Sequence, residues 1–208
     1  MRDIRSLCGT ENMTDNFSLP LILASRSPRR RELLRQCNVE FTVEVSPAEE
    51  LDTASETGRL PEINARLKAA AVADNNPEAW VLGADTMIVF NGSAIGKPSD
   101  MDEAAQFLRA FSGRTHQVIT GMALICRKKN IEEVWSAVSE VTFKELDEKT
   151  ISCYLEQVEV LDKAGAYAIQ EHGELIVEKF SGELENIVGL PLKKLRELLT
   201  KYAIGDKL

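Results

Sequence analysis

Residues 25–33 read SRSPRRREL, with three consecutive arginines, Arg29, Arg30 and Arg31, directly after Ser27 and Pro28. Serine is a preferred helix N-cap and proline the favoured first helical residue, so the arginines fall in a helix's first turn. Cations there oppose the helix dipole, at a cost of about 0.3–1 kcal/mol each. A bound anion reverses the sign: free backbone N–H groups, the dipole and the guanidinium forks then all point at the same oxygens. The Ser25 and Ser27 hydroxyls add donors. The plain alternative is a solvated basic face on a surface helix; the strand-turn-helix setting favours phosphate, with Arg31 the arginine expected to face water.

Asp85 is the second anomaly, because it interrupts the apolar run WVLGADTMIVF. A carboxylate inside such a strand loses hydration unless it is paired or holds a metal. It either caps a turn at the strand end or marks a site at the rim of a sheet; the flanking Leu82 and Ile88 favour the rim. Glu49 and Glu50 in SPAEELD and Asp162 in LDKAG can supply further oxygens for a hard divalent cation. Lys68 in an alanine-rich helix and Lys97 in GKP are candidate phosphate contacts. The two histidines, His116 and His172, are too few for a histidine-rich metal site. The chain has neither a GxxxxGK[ST] loop nor a GxGxxG fingerprint, which removes the common nucleotide-binding loops.

The elements that must position these groups are legible in outline. Leu19 to Ala24 reads as a buried strand leading into a helix from Pro28 with Leu33, Leu34 and Cys37 inward. A second strand is expected over Glu40 to Val45, and after Pro61 the segment NARLKAAAVAD is helical. Trp80 to Phe90 is a strand, and Asn91-Gly92 is the strongest short hairpin signal in the chain. Ser99 or Asp100 caps a helix closed by Ser112-Gly113. A long strand over His116 to Cys126 is followed by one over Val134 to Phe143. Asp147 caps the next helix, and Pro191 opens the last, with Leu192, Leu195, Leu198 and Leu199 inward. Mixed helices and strands with hairpins predict an α/β fold around a mixed sheet.

Bulk properties narrow the partners. With 44% hydrophobic and 28% charged residues, the 208-residue chain matches ordinary globular proteins rather than disordered ones. A net charge of -8 with interleaved signs leaves no broad basic footprint for nucleic acid, so any polyanion must be held locally. Cys8, Cys37, Cys126 and Cys153 form no CxxC pair, which fits reduced thiols in a cytoplasmic setting. No apolar run approaches the ~20 residues that span a bilayer. Residues 1–18 lack the apolar core of a signal peptide and read as a poorly ordered extension, leaving 19–208 as one domain.

Five blocks taken in order, LILASRSPRRRELL, VLGADTMIVFNGSAIGKPSD, SGRTHQVITG, LDKAGAYAIQEHG and VGLPL, resemble the Maf family over nearly everything from Leu19 to about Leu199. The resemblance implies a long twisted central sheet flanked by helices, with two lobes around a cleft, similar to inosine triphosphate pyrophosphatases. It also implies nucleoside triphosphate pyrophosphatase activity with a divalent metal, Mg²⁺ or Mn²⁺, in a cytoplasmic protein that is often a homodimer. Asp85 matches the family's catalytic acidic residue, the proton acceptor. Arg29, Thr86 and Gln170 match the positions tied to base choice, with the types of the branch acting on dTTP and UTP. Ser27, Arg30, Glu50, Lys68 and Lys97 stand at polar active-site positions, with Glu50 and Asp85 the expected metal ligands. Two alternatives are a non-catalytic nucleotide-binding regulator of septum formation and a scaffold that recognises a phosphorylated partner.

Overall fold

A computed structural model describes residues 19–51 and 57–205. The expected extension over 1–18 therefore lies outside the described residues. Among the described residues, seven strands form one mixed sheet in the order β2-β1-β3-β5-β6-β7, with β4 paired to β3. They span β1 Leu21–Leu23, β2 Phe41–Val43, β3 Trp80–Phe90, β4 Ser93–Ile95, β5 Thr115–Cys126, β6 Ile131–Phe143 and β7 Val177–Ser181. β1 is parallel to β2 and β3, whereas β3, β5, β6 and β7 run antiparallel in turn. The mixed α/β expectation is met. β1 and β2 are shorter than the sequence suggests and β6 longer, since a strand ends where its partner does.

The helices are α1 Pro28–Arg35, α2 Leu60–Ala73, α3 Met101–Phe111, α4 Glu148–Gln157, α5 Gly173–Ile176, α6 Leu184–Val188 and α7 Leu192–Lys201. Local chemistry explains their starts. Ser27 caps α1, Asp100 caps α3 and Asp147 caps α4, each by accepting a backbone N–H with its side chain. α7 starts directly after Pro191 and buries Leu192, Leu195, Leu198 and Leu199 as one stripe. None of the described helices is long and apolar enough to cross a membrane.

Among the described residues, three apolar clusters form the core. One packs Leu33 and Leu34 of α1 and the α7 leucines onto Trp80, Leu82 and Ala84 of β3. A second packs Ala65, Ala69 and Val72 of α2 on the opposite face, against Val81, Ala123 and Ile125. The third joins the far half of β3, through Ile88 and Phe90, to α3 and α4. Alternate residues of a strand face opposite sides. Thus Thr86 falls between the first and third clusters on one face of β3, and Asp85 lies on the face covered by α2.

The sheet has a gap at this point. β1 pairs with β3 only as far as Leu82, and β4 joins the same edge only at Ile88. Between them Gly83 to Met87 are laddered to β5 alone among the described strands. A long strand exposed along part of one edge gives a polar pair access to a cavity from both faces.

Two glycines let α2 approach closely. A Cβ at Gly83 would come within 2.3 Å of the Ala65 carbonyl oxygen, and one at Gly121 within 2.2 Å of the Pro61 carbonyl carbon. Gly121 is the residue opposite Asp85 in the β3–β5 ladder. Any larger residue there would lift α2, and with it the side chains that reach Asp85.

Candidate active site

One cavity of about 490 Å³ opens at the gap, between the part of the sheet packed by α1, α2 and α7 and the part packed by α3 and α4. Its wall includes Ser27, Arg29, Arg30, Glu50, Lys68, Asp85, Thr86, Lys97 and Gln170, whereas Glu49, the other carboxylate of SPAEELD, is not part of it. Residues dispersed over more than half the chain converge there. Asp162 also lines it.

The acidic centre is built by α2 and β3. Lys68 Nζ lies 2.7 Å from Asp85 Oδ1 and 2.7 Å from Glu50 Oε1. One turn earlier on the same helix face, Asn64 Nδ2 donates to Asp85 Oδ2 at 3.3 Å. Asn64 also binds the backbone of Leu51 through both ends of its amide, which holds the loop carrying Glu50 against α2. Burial pushes the Glu50 carboxyl up, but the Lys68 ammonium, helped by Lys97 and Arg30, outweighs that and holds it below its ordinary value. Two carboxylates facing one lysine form a site that wants further positive charge.

Among the described residues, no group of three or more His, Cys, Asp or Glu side chains is placed to hold a metal ion. The two carboxylates sharing Lys68 still fit a hard cation, for Mg²⁺ is typically held by one or two carboxylates together with phosphate oxygens and water. Glu50 and Asp85 would hold it.

The basic wall divides into two kinds of side chain. Arg30 is locked inward: Nε donates to the Gly189 carbonyl at 2.9 Å, Nη1 to the Ala84 carbonyl at 2.9 Å and Nη2 to Thr86 Oγ1 at 3.0 Å, with a longer bond to Ser25 Oγ. Its guanidinium closes the open edge of β3. Burial lowers its pKa, against the opposing pull of Asp85 and Glu50. Most of a fork expected to grip phosphate is therefore engaged by the protein, because Ala84 and Gly189 present carbonyls that no strand satisfies at the gap. Arg29 is freer, with a loose ion pair to Asp162 at 3.6 Å. Lys97 is exposed and has no ion pair or hydrogen bond within the described residues. The Ser27 oxygen accepts the Arg30 N–H, so its own proton remains available.

On the other face of β3, Thr86 Oγ1 bonds both Arg30 and the buried Thr120 Oγ1, each at 3.0 Å. Gln170 is exposed at the far side and borders a second groove along α1 as well. Asp162 bonds Lys163, which is 6% exposed, lines the same cavity and lies 3.7 Å from Glu171. Lys163 and Asn64 escape a reading of the sequence, since a lysine in LDKAG and an asparagine in a helix carry no distinguishing pattern. α6 escapes too, although its end supplies the Gly189 carbonyl to Arg30.

Comparison with known proteins places the chain in a family. The family described as Maf-like protein matches residues 20–202. A dTTP/UTP pyrophosphatase of Akkermansia muciniphila is 45% identical over 183 residues, covering 86% of this chain and 95% of that protein. One of Clostridioides difficile is 44% identical, covering 88% and 94%. In fold, the chain is similar to the Staphylococcus aureus Ham1 protein, with a TM-score of 0.53 at 13% identity over 88% of this chain and 98% of the other. With a match running from β1 to the end of α7, and relatives of this closeness over almost their whole length, the chain belongs to the Maf family.

Proposed function

We propose that this protein is a nucleoside triphosphate pyrophosphatase acting on dTTP and UTP, which breaks the α–β phosphoanhydride link to give the monophosphate and pyrophosphate. The observation that carries the reading is that the Lys68-bridged pair of Glu50 and Asp85 and the first turn of α1 line one shared cavity. The names of the relatives support the substrate class.

The arginine-rich helix start then has a physical reason. α1 carries no acidic residue in its first turn, so its positive end meets a triphosphate with no carboxylate of that turn in competition. Ser27 donates its free proton, and Lys97 reaches the departing pyrophosphate as a mobile point charge. Arg30 acts mainly by fixing Ala84 and Thr86 on either side of Asp85. Asp85 orients the attacking water and accepts its proton; Asn64 and Lys68 hold the carboxylate in place. A bound divalent cation supplies Lewis-acid stabilisation of the phosphoryl oxygens. The new bond joins the water oxygen to phosphorus as the bridging P–O bond breaks toward pyrophosphate.

Gln170 offers a donor and an acceptor together, which suits the imide edge shared by uracil and thymine. Arg29 and Thr86 complete the base side. The test is pyrophosphate release from UTP, dTTP, CTP, GTP and ATP with Mg²⁺ or Mn²⁺ and after chelation. UTP and dTTP turnover that stops with chelator is the expected result; absence of pyrophosphate from both contradicts the reading.

A further inference from the structure

The Thr86 hydroxyl sits at the end of a hydrogen-bond chain whose direction can be read. Thr120 is fully buried, and its Oγ1 donates to the Asn186 backbone carbonyl at 3.0 Å. A carbonyl can only accept, and a threonine has one hydroxyl proton. That proton is therefore committed to Asn186. The 3.0 Å contact between Thr86 Oγ1 and Thr120 Oγ1 must then carry the Thr86 proton, with Thr120 accepting. Arg30 Nη2, itself only a donor, takes one lone pair of the same Thr86 oxygen. What remains to a ligand is one lone pair and no proton.

The far end of the chain is fixed. Asn186 is fully buried, and its Nδ2 donates to the Val118 carbonyl and to Ser139 Oγ, while Ser139 Oγ donates to the Glu183 carbonyl. The near end is kept open by Gly189, where a Cβ would stand 3.1 Å from Thr86 Oγ1.

We propose that Thr120 is a positioning residue for specificity, which turns the Thr86 hydroxyl into an acceptor-only contact for the base. This rests on the reading above that the base lies against Thr86. An acceptor-only oxygen accepts the N3–H of uracil or thymine and meets only a lone pair at N3 of cytosine. To pair with cytosine, Thr86 would have to withdraw its proton from Thr120 and leave the buried Thr120 oxygen without a donor.

The test compares kcat and KM for UTP and CTP in the native protein, Thr120→Val and Thr120→Ser. Valine keeps the shape and removes the acceptor, so the Thr86 proton is released. The CTP-to-UTP ratio of kcat/KM should rise about tenfold, mainly through KM, as expected for one hydrogen bond of about 1.4 kcal/mol. Serine, which keeps the hydroxyl, should return the ratio to the native value. If valine does not fold, Thr120→Cys, of similar shape and poor hydrogen-bonding capacity, gives the same readout. An unchanged ratio in the valine or cysteine variant, with Thr86→Val altering it, overturns the role of Thr120 and leaves the base placement standing. If Thr86→Val does not move the ratio either, the base placement falls and this inference with it. Failure of the pyrophosphatase reading shows earlier, as no pyrophosphate from UTP with the native protein.

Discussion

Lys68 of α2 and Asp85 of β3 form an ion pair of 2.7 Å with side chains 12% and 15% exposed, and the same ammonium bridges to Glu50 at 2.7 Å. Each carboxylate depends on Lys68 for compensation. Lys68→Met leaves two negative groups facing each other across the cavity, and the removal of one such preorganised charge is expected to lower kcat by about 10²–10³. Steady-state turnover of UTP checks it. Turnover within a few-fold of native would mean that the pair is structural.

The approach of α2 to the sheet sets where Lys68 and Asn64 stand. Gly83→Ala places a methyl where the Ala65 carbonyl and Ala69 already lie, the latter at 2.9 Å. Overpacking of this kind costs about 1–3 kcal/mol. Urea denaturation should show that loss, and turnover should fall as well because α2 shifts relative to Asp85. A variant as stable and active as native would show that the contact relaxes freely.

Gln170 is exposed and has no hydrogen bond within the described residues, so its role is open to direct test. Gln170→Glu removes the amide donor and adds a negative charge. UTP and dTTP should lose about 10–100-fold in kcat/KM, with stability unchanged and other nucleotides less affected. Equal loss for all nucleotides would place Gln170 away from the base.

His116 supplies a pH dependence that belongs to folding. Its ring is buried, bonds Tyr167 through Nε2 at 2.8 Å, stacks on Phe111 with centroids 4.5 Å apart, and has an unpaired Nδ1. Burial pushes its pKa from 6.5 down to about 4. Between these values the unfolded chain binds a proton that the folded one does not. The contribution is therefore complete above about pH 6.5 and is lost as the pH falls toward 4, by up to about 3 kcal/mol. Urea midpoints over this range should decline more steeply for the native protein than for His116→Gln. Parallel curves would contradict the assignment.

Local signals in the sequence carried much of the fold. The Ser27-Pro28 start, the Asn91-Gly92 turn and the caps Asp100 and Asp147 act within a few residues of themselves, and each appears where its chemistry requires. The arginines of α1 and Asp85 were recognisable because each broke a local rule, as cations at a positive helix end and a carboxylate in an apolar strand, whereas Thr86 and Gln170 were marked only by the family resemblance. What was not legible depends on partners far along the chain. Arg30 binds Gly189, 159 residues away, and Asn64 meets Asp85 only because two glycines admit α2 to the sheet. The five-residue helix α6 has no side-chain cap hydrogen bond, so the sequence offers no start signal for it.

The most direct measurement is pyrophosphate release from UTP by Asp85→Asn, read beside its thermal unfolding. Asparagine keeps the shape of the side chain and removes its charge and basicity. A folded protein with turnover reduced by at least about 10³ is the predicted result. Near-native turnover in the folded variant would show that the chemistry takes place without this carboxylate.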